Sequence, residues 1–108
     1  MKSEQALAVL AALAQDTRLA IFRRLVRAGS SGEVAGAIAD ALAIPAPTLF
    51  FHLKELERAG LITQRRESRN LIYAIRAERI RELLSFLMKD CCGGRPEICN
   101  VREVCDAD

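Results

Sequence analysis

All four cysteines of the 108-residue chain, Cys91, Cys92, Cys99 and Cys105, fall in its last 18 residues. Thiolates are soft ligands and select thiophilic ions. Neighbouring residues on a helix point about 100° apart, so the sulfurs of Cys91 and Cys92 reach one atom only where a helix end loosens. Gly93-Gly94 supply that freedom. Six residues separate Cys92 from Cys99, enough for a loop to close within one subunit. On a helix Cys99 and Cys105 would point about 240° apart, which makes Cys105 the accessory or alternative ligand. Other chemistries stay open for these residues. Four thiolates suit a tetrahedral structural zinc site. A thiol redox switch is a further reading, against which the negative end of a helix disfavours thiolate. Cys91 also continues an apolar stripe and could be a small core residue. Catalysis has little to work with. His52 is the only histidine, no Cys-x-x-Cys precedes a helix, and no Ser/His/Asp set is available. The expectation is no enzyme, no catalytic residues and no catalytic cofactor.

A second chemistry lies upstream. Between Lys54 and Arg76 six basic residues (Lys54, Arg58, Arg65, Arg66, Arg69, Arg76) face three acids, whereas Lys89 to Asp108 holds three basic residues against five acids. The middle of the chain can therefore meet a polyanion and the tail cannot easily do so. With 51% apolar residues the chain can bury one core. No apolar run approaches the roughly 18 residues of a membrane span. No signal peptide is read at the N-terminus, so a reducing cytoplasm and no membrane partner are expected.

These groups must be positioned by helices and a hairpin. Ser3 can cap a first helix to about Ala14, with Leu7, Leu10, Leu13 and Ala14 at helical spacing. Asp16 is the next expected cap, and the second helix runs to about Ala28, burying Leu19, Phe22, Leu25 and Val26 before Gly29 ends it. Ser30 and Glu33 fit a capping box for a third helix over about 32–42, with Val34, Ile38 and Leu42 inward. Ala43-Ile44-Pro45 is a tight turn. Pro47 sits in the first turn of a fourth helix, where its missing N–H costs nothing. That helix runs to Ala59 with Leu49, Leu53 and Leu56 as its core stripe, and Gly60 stops it. Two short helices joined by a short turn make a helix-turn-helix. The period then changes to strands at Leu61–Arg66 and Leu71–Arg76 around a polar turn, Glu67 to Asn70. A fifth helix from Ala77 to Cys91 carries Ile80, Leu83, Leu84, Leu87, Met88 and Cys91 in one stripe.

With the leucine stripe inward, Pro47, Thr48, Phe51, Lys54, Glu55 and Arg58 point away. A DNA major groove admits one helix and usually meets its N-terminal half. Thr48 suits a base edge and Phe51 a thymine methyl. Lys54 and Arg58 suit phosphates, which fix register without reading sequence. Arg66 and Arg69 could reach a neighbouring minor groove or its phosphates. His52 is expected to be a satisfied, half-buried histidine, and Phe50 to pack.

Leu10-Ala11-Ala12-Leu13-Ala14-Gln15-Asp16-Thr17-Arg18-Leu19 resembles the opening motif of the ArsR/SmtB family. The stretch from Pro47 to Leu56, followed by Ala59-Gly60-Leu61-Ile62, resembles that family's recognition helix, and Arg65 to Tyr73 is similar to its wing. The resemblance covers about residues 5 to 90. It implies a mainly α (α+β) winged helix-turn-helix of five helices with a β-hairpin wing. It also implies a homodimer paired through its first and last helices, acting as a repressor of metal-resistance genes on double-stranded operator DNA. Residues 1–92 would form the DNA-binding and dimerisation domain, and 93–108 a cysteine-containing tail. Pro45 departs from the family, which often has Ser there as a cap. Phe50 stands where a polar residue is usual.

The best-known arsenic sensors of the family carry a Cys pair in the third helix, and this chain has none there. The chain instead resembles the subgroup whose arsenite site follows the last helix. Trivalent arsenic takes three sulfurs in a pyramid, and Cys91, Cys92 and Cys99 are the implied ligands. Arsenite is the expected inducer, with antimonite a further candidate. The alternatives are a sensor of cadmium, lead or zinc on the same fold, or a thiol redox regulator.

Overall fold

The computed structural model describes residues 1–91, with side chains through Met88. The elements run α1 (Ser3–Leu13), α2 (Asp16–Ala28), a 3-10 turn (Gly29–Ser31), β1 (Glu33–Val34), α3 (Ala35–Leu42), α4 (Ala46–Arg58), β2 (Ile62–Glu67), β3 (Asn70–Ile75) and α5 (Ala77–Cys91). The strands form one antiparallel sheet in the order β1-β3-β2, with Ile62 opposite Ile75 at the base of the hairpin and Glu67 opposite Asn70 at its tip. This is the expected winged helix-turn-helix, with one strand more than the hairpin foreseen. At two residues, β1 is too short for any alternation to show in sequence.

The core draws on every helix. Val9, Ile21, Leu25, Ile38, Leu49, Leu53, Leu56 and Leu61 are all fully buried. Each such side chain contributes about 1.5–3 kcal/mol relative to exposure. The stripe Leu49, Leu53, Leu56 is inward as its spacing demands. α3 and α4 meet at a bend of 113°, made by Ala43, Ile44 and Pro45. Ala43 takes a left-handed conformation (φ 54°), and its N–H donates to the carbonyls of Ala39 and Asp40, closing α3.

Several sequence expectations change. α1 buries Ala6, Val9 and Ala12, while Leu7 (66% exposed) and Leu10 (41%) face outward. Small side chains let α1 lie close against α2 and α4, and the leucines occupy the other face. On α2 the buried pair is Ile21 and Leu25; Phe22 is half-buried, and Leu19 and Val26 are exposed. The cap of α2 is Gln15 rather than Asp16, its Oε1 accepting from the Arg18 N–H at 2.8 Å. Ser30 caps nothing. It lies in the 3-10 turn, and Glu33 forms a two-pronged pair with Arg24 of α2 (Nε–Oε1 2.5 Å, Nη2–Oε2 2.7 Å). That pair and the pairing with β3 draw residues 33–34 into a strand, so α3 begins at Ala35.

Gly32 makes this switch possible. Its φ is +72°, and a Cβ there would collide with the Tyr73 carbonyl oxygen and lie 2.9 Å from Ile72 Cγ2. Gly32→Ala is therefore expected to cost about 2–4 kcal/mol in urea unfolding. At Ala43, Gly relieves the left-handed strain, and Ala43→Gly is expected to stabilise by about 0.5–1 kcal/mol. Equal effects of opposite sign to these would contradict the backbone assignments.

Candidate nucleic-acid interface

α4 starts without a side-chain cap, since Pro45 holds the N-cap position (φ −65°, ψ 149°). Leu49 N–H donates to the Pro45 carbonyl at 3.0 Å, so the first full turn closes on the proline. Pro47 removes one of the donors that would otherwise be unpaired. The N–H groups of Ala46 and Thr48, which precede the helix's own bonding, remain at an exposed end.

Pro47, Thr48, Phe51, Lys54 and Arg58 are all exposed. Phe51 is 58% exposed, with its ring edge-on to the buried His52 ring at 5.4 Å between centroids. Arg58 sits 3.5 Å from Glu55, one turn back on the same helix. Phe50 does not pack as expected: it is 41% exposed. It lies about 100° around the helix from Leu49, beyond the edge of the buried stripe. α4 thus presents two phenylalanines to its surroundings, and large apolar groups in such a place mark a contact surface.

The wing is fixed to the same side. Gln64 Nε2 of β2 donates to Glu57 Oε2 of α4 at 3.3 Å, and Lys54, Arg58 and Gln64 line one recess where helix meets strand. Alternation along a strand puts Arg66 on the Gln64 face and Arg65 on the other. Arg65 is fully engaged there: it donates to the Ser31 carbonyl at 2.7 Å and the Ser30 carbonyl at 3.5 Å, and its Nε meets Glu67 at 2.9 Å. Arg66 and Arg69 are exposed, with no ion pair among the described residues. Sequence reasoning missed Gln64, and counted Arg65 among the basic residues without its structural role. Their neutral or paired character hid these roles, and only the strand register brings both residues beside α4 and the 3-10 turn.

Behind the surface, Tyr73 is buried at 3% exposure opposite both Glu33 and Gln64. Burial pushes its phenol up, with the Glu57 charge adding to the effect, so it stays neutral.

A family model described as a helix-turn-helix domain matches residues 13–65, from the end of α1 into β2. An uncharacterized HTH-type transcriptional regulator from Methanocaldococcus jannaschii is 33% identical over 86 residues, 80% of this chain and 94% of that protein. Solved structures share the fold, two of them as follows. One is the homodimeric winged helix-turn-helix DNA-binding domain of a possible ArsR-family regulator from Mycobacterium bovis (26% identity, TM-score 0.65, 82% of this chain and 86% of that one). The other is an ArsR-like transcriptional regulator from Rhodococcus sp. RHA1 (20% identity, TM-score 0.74, 94% and 92%). The chain belongs to the HTH-type transcriptional regulators, and its winged helix-turn-helix is the fold found in ArsR-family regulators. It is a DNA-binding regulator rather than an enzyme.

The cysteine set is a separate matter. Cys91 is described by its backbone alone, within α5; its side chain, with Cys92, Cys99 and Cys105, lies outside what the structure describes. Among the described residues no three His, Cys, Asp or Glu side chains gather to hold a metal ion. No single helix among them is long and apolar enough to cross a membrane.

The geometry separates contact from support, and salt dependence reads the difference. Arg66→Ala and Arg69→Ala are each expected to flatten the slope of log affinity against log salt by about 0.9. Arg65→Ala is expected to weaken binding with the slope unchanged, because it only tethers the wing. A reduced slope for Arg65→Ala would place that guanidinium on a phosphate.

Proposed function

We propose that the protein is a homodimeric repressor that grips operator DNA through α4 and the wing, and releases it when trivalent arsenic binds Cys91, Cys92 and Cys99. The observation that carries the DNA half is the outward face of α4. Thr48 and Phe51 occupy its N-terminal half with Pro47 beside them, and Lys54 and Arg58 follow toward the wing. Thr48 and Phe51 meet base edges; Lys54, Arg58, Arg66 and Arg69 meet phosphates. Two recognition helices about 34–36 Å apart read a near-palindromic site.

Pairing through the first and last helices is supported by the leucines the protomer leaves outside. Leu7 and Leu10 on α1 and Leu84 on α5 (46% exposed) sit on elements that touch each other. Large exposed leucines on adjoining helices suit a self-complementary seam. The related domain from Mycobacterium bovis is a homodimer.

The sensing half is supported by the sequence. All four cysteines fall in sequence from Cys91 onward, following the described length of α5, the helix assigned to the seam. Three thiolates around one arsenic atom would draw the tail onto that helix end and shift the seam. Antimonite, with the same preference for sulfur, is expected to act likewise. A reducing cytoplasm keeps the thiols available.

Fluorescence anisotropy with a labelled operator duplex tests the reading. Saturating arsenite is expected to weaken binding by about 5- to 150-fold. Cys91→Ser, Cys92→Ser and Cys99→Ser are expected to bind DNA as the wild type does and to lose the response. A fully responsive Cys99→Ser moves the third ligand to Cys105. Unchanged affinity at saturating arsenite overturns the arsenic assignment. Release by cadmium, lead or zinc, or by peroxide without metal, then points to the corresponding sensor.

A further inference from the structure

Three helices meet on one side chain, Arg18. Its backbone N–H is held by Gln15 at the start of α2. Its Nε donates to the Ala12 carbonyl in the last turn of α1 at 2.7 Å. Its Nη1 lies 3.3 Å from Nδ1 of His52, in the middle of α4. A guanidinium has donors only, so Nδ1 must offer a lone pair, which requires His52 to be neutral with any ring proton on Nε2. His52 is 8% exposed, and its neighbours Leu49, Leu53 and Leu56 are buried.

The surroundings make this bridge consequential. α1 and α4 face each other across a cleft of about 240 Å³. The α1 wall is Ala8, Ala11 and Ala12; the α4 side supplies Glu55, Arg58 and Ala59, and Arg18 enters from α2. The α1 wall of this cleft offers only methyl groups, so the guanidinium supplies the polar link between the two helices.

We infer that Arg18 is a positioning residue that ties the recognition helix to the first helix, and that protonation of His52 releases the tie. The inference rests on the operator-binding reading above. An imidazolium has no lone pair at Nδ1 and would set two cations 3.3 Å apart. The charged groups facing His52 are Arg18 from α2 and Glu55 on α4 itself, the latter engaged with Arg58; α1 brings alanines only. Burial, then Arg18, pushes the imidazole below its ordinary value of 6.5, and Glu55 partly opposes them. The tie is therefore complete at neutral pH and is lost as pH falls below the usual histidine range. Because α1 is assigned to the subunit seam, the tie gives seam movements a route to the surface that reads DNA.

The sign of the pH response separates this from plain electrostatics. A newly charged histidine touching DNA would strengthen binding on acidification; release of a positioning tie weakens it. The experiment measures operator affinity of the full chain from about pH 8 to about pH 5 at fixed salt. Wild type is expected to weaken about tenfold across the acid limb. His52→Asn keeps an acceptor near the Nδ1 position that does not titrate, so its affinity is expected to stay near wild type at neutral pH and its profile to be flat. Arg18→Ala is expected to bind about tenfold more weakly at neutral pH, with a flat profile and an unchanged salt slope. Should Arg18→Ala not fold, the His52→Asn profile decides alone. An acid limb retained in His52→Asn, or tighter wild-type binding at low pH, overturns the inference. A wild type that binds no duplex at neutral pH overturns the operator reading together with it.

Discussion

The arrangement depends on how α4 is seated. A 13-residue helix carrying both basic and aromatic groups needs one continuous apolar stripe to hold it, and Leu49, Leu53 and Leu56 are that stripe. Their burial, about 1.5–3 kcal/mol each, sets the rotation of the helix about its own axis. Once that rotation is set, Phe51, Lys54 and Arg58 have nowhere to be but outside. A helix turned by one residue would bury a lysine or a phenylalanine in place of a leucine, and the charged group would have no partner in the core.

Polar contacts then orient what surrounds the helix. The Arg24–Glu33 pair is partly exposed, so it contributes little to stability. Its geometry is two-pronged, and it holds β1 against α2 where the sheet begins. Arg65 ties the wing to the 3-10 turn, and Gln64 ties it to α4. Arg18 links α1 to α4. Three arginines thus serve architecture while Arg58, Arg66 and Arg69 stay at the surface. A net charge of +2 hides this division of labour.

Legibility in the sequence followed the strength of the local signal. The stripe of α5 gave its start at Ala77, and Leu83 of that stripe is buried while Leu84 faces outward. The outward residues of α4 followed from its leucine spacing, and the hairpin from the change of period. The failures have physical reasons. On α1 the leucines looked like core, yet alanines and Val9 fill the close contact, and Leu7 and Leu10 lie on the opposite face. Ser30 and Glu33 had the spacing of a capping box, but Glu33 has a better partner in Arg24 of the preceding helix, beyond the three-residue reach of a capping pattern. Phe50 was expected to pack because it is apolar, whereas its angle around the helix puts it outside. Chemistry drawn from the cysteines rests on residue type and spacing alone.

The central claim is that the outer face of α4 and the tip of the wing form the duplex-reading surface. Backbone amide shifts of isotope-labelled protein, titrated with the duplex it selects from random sequence, test this most directly. The account predicts the largest changes over Ala46–Arg58 and around Arg66 to Arg69, with the outward leucines of α1 little moved. Changes centred on Leu7, Leu10 and α5, with the α4 amides still, would contradict it.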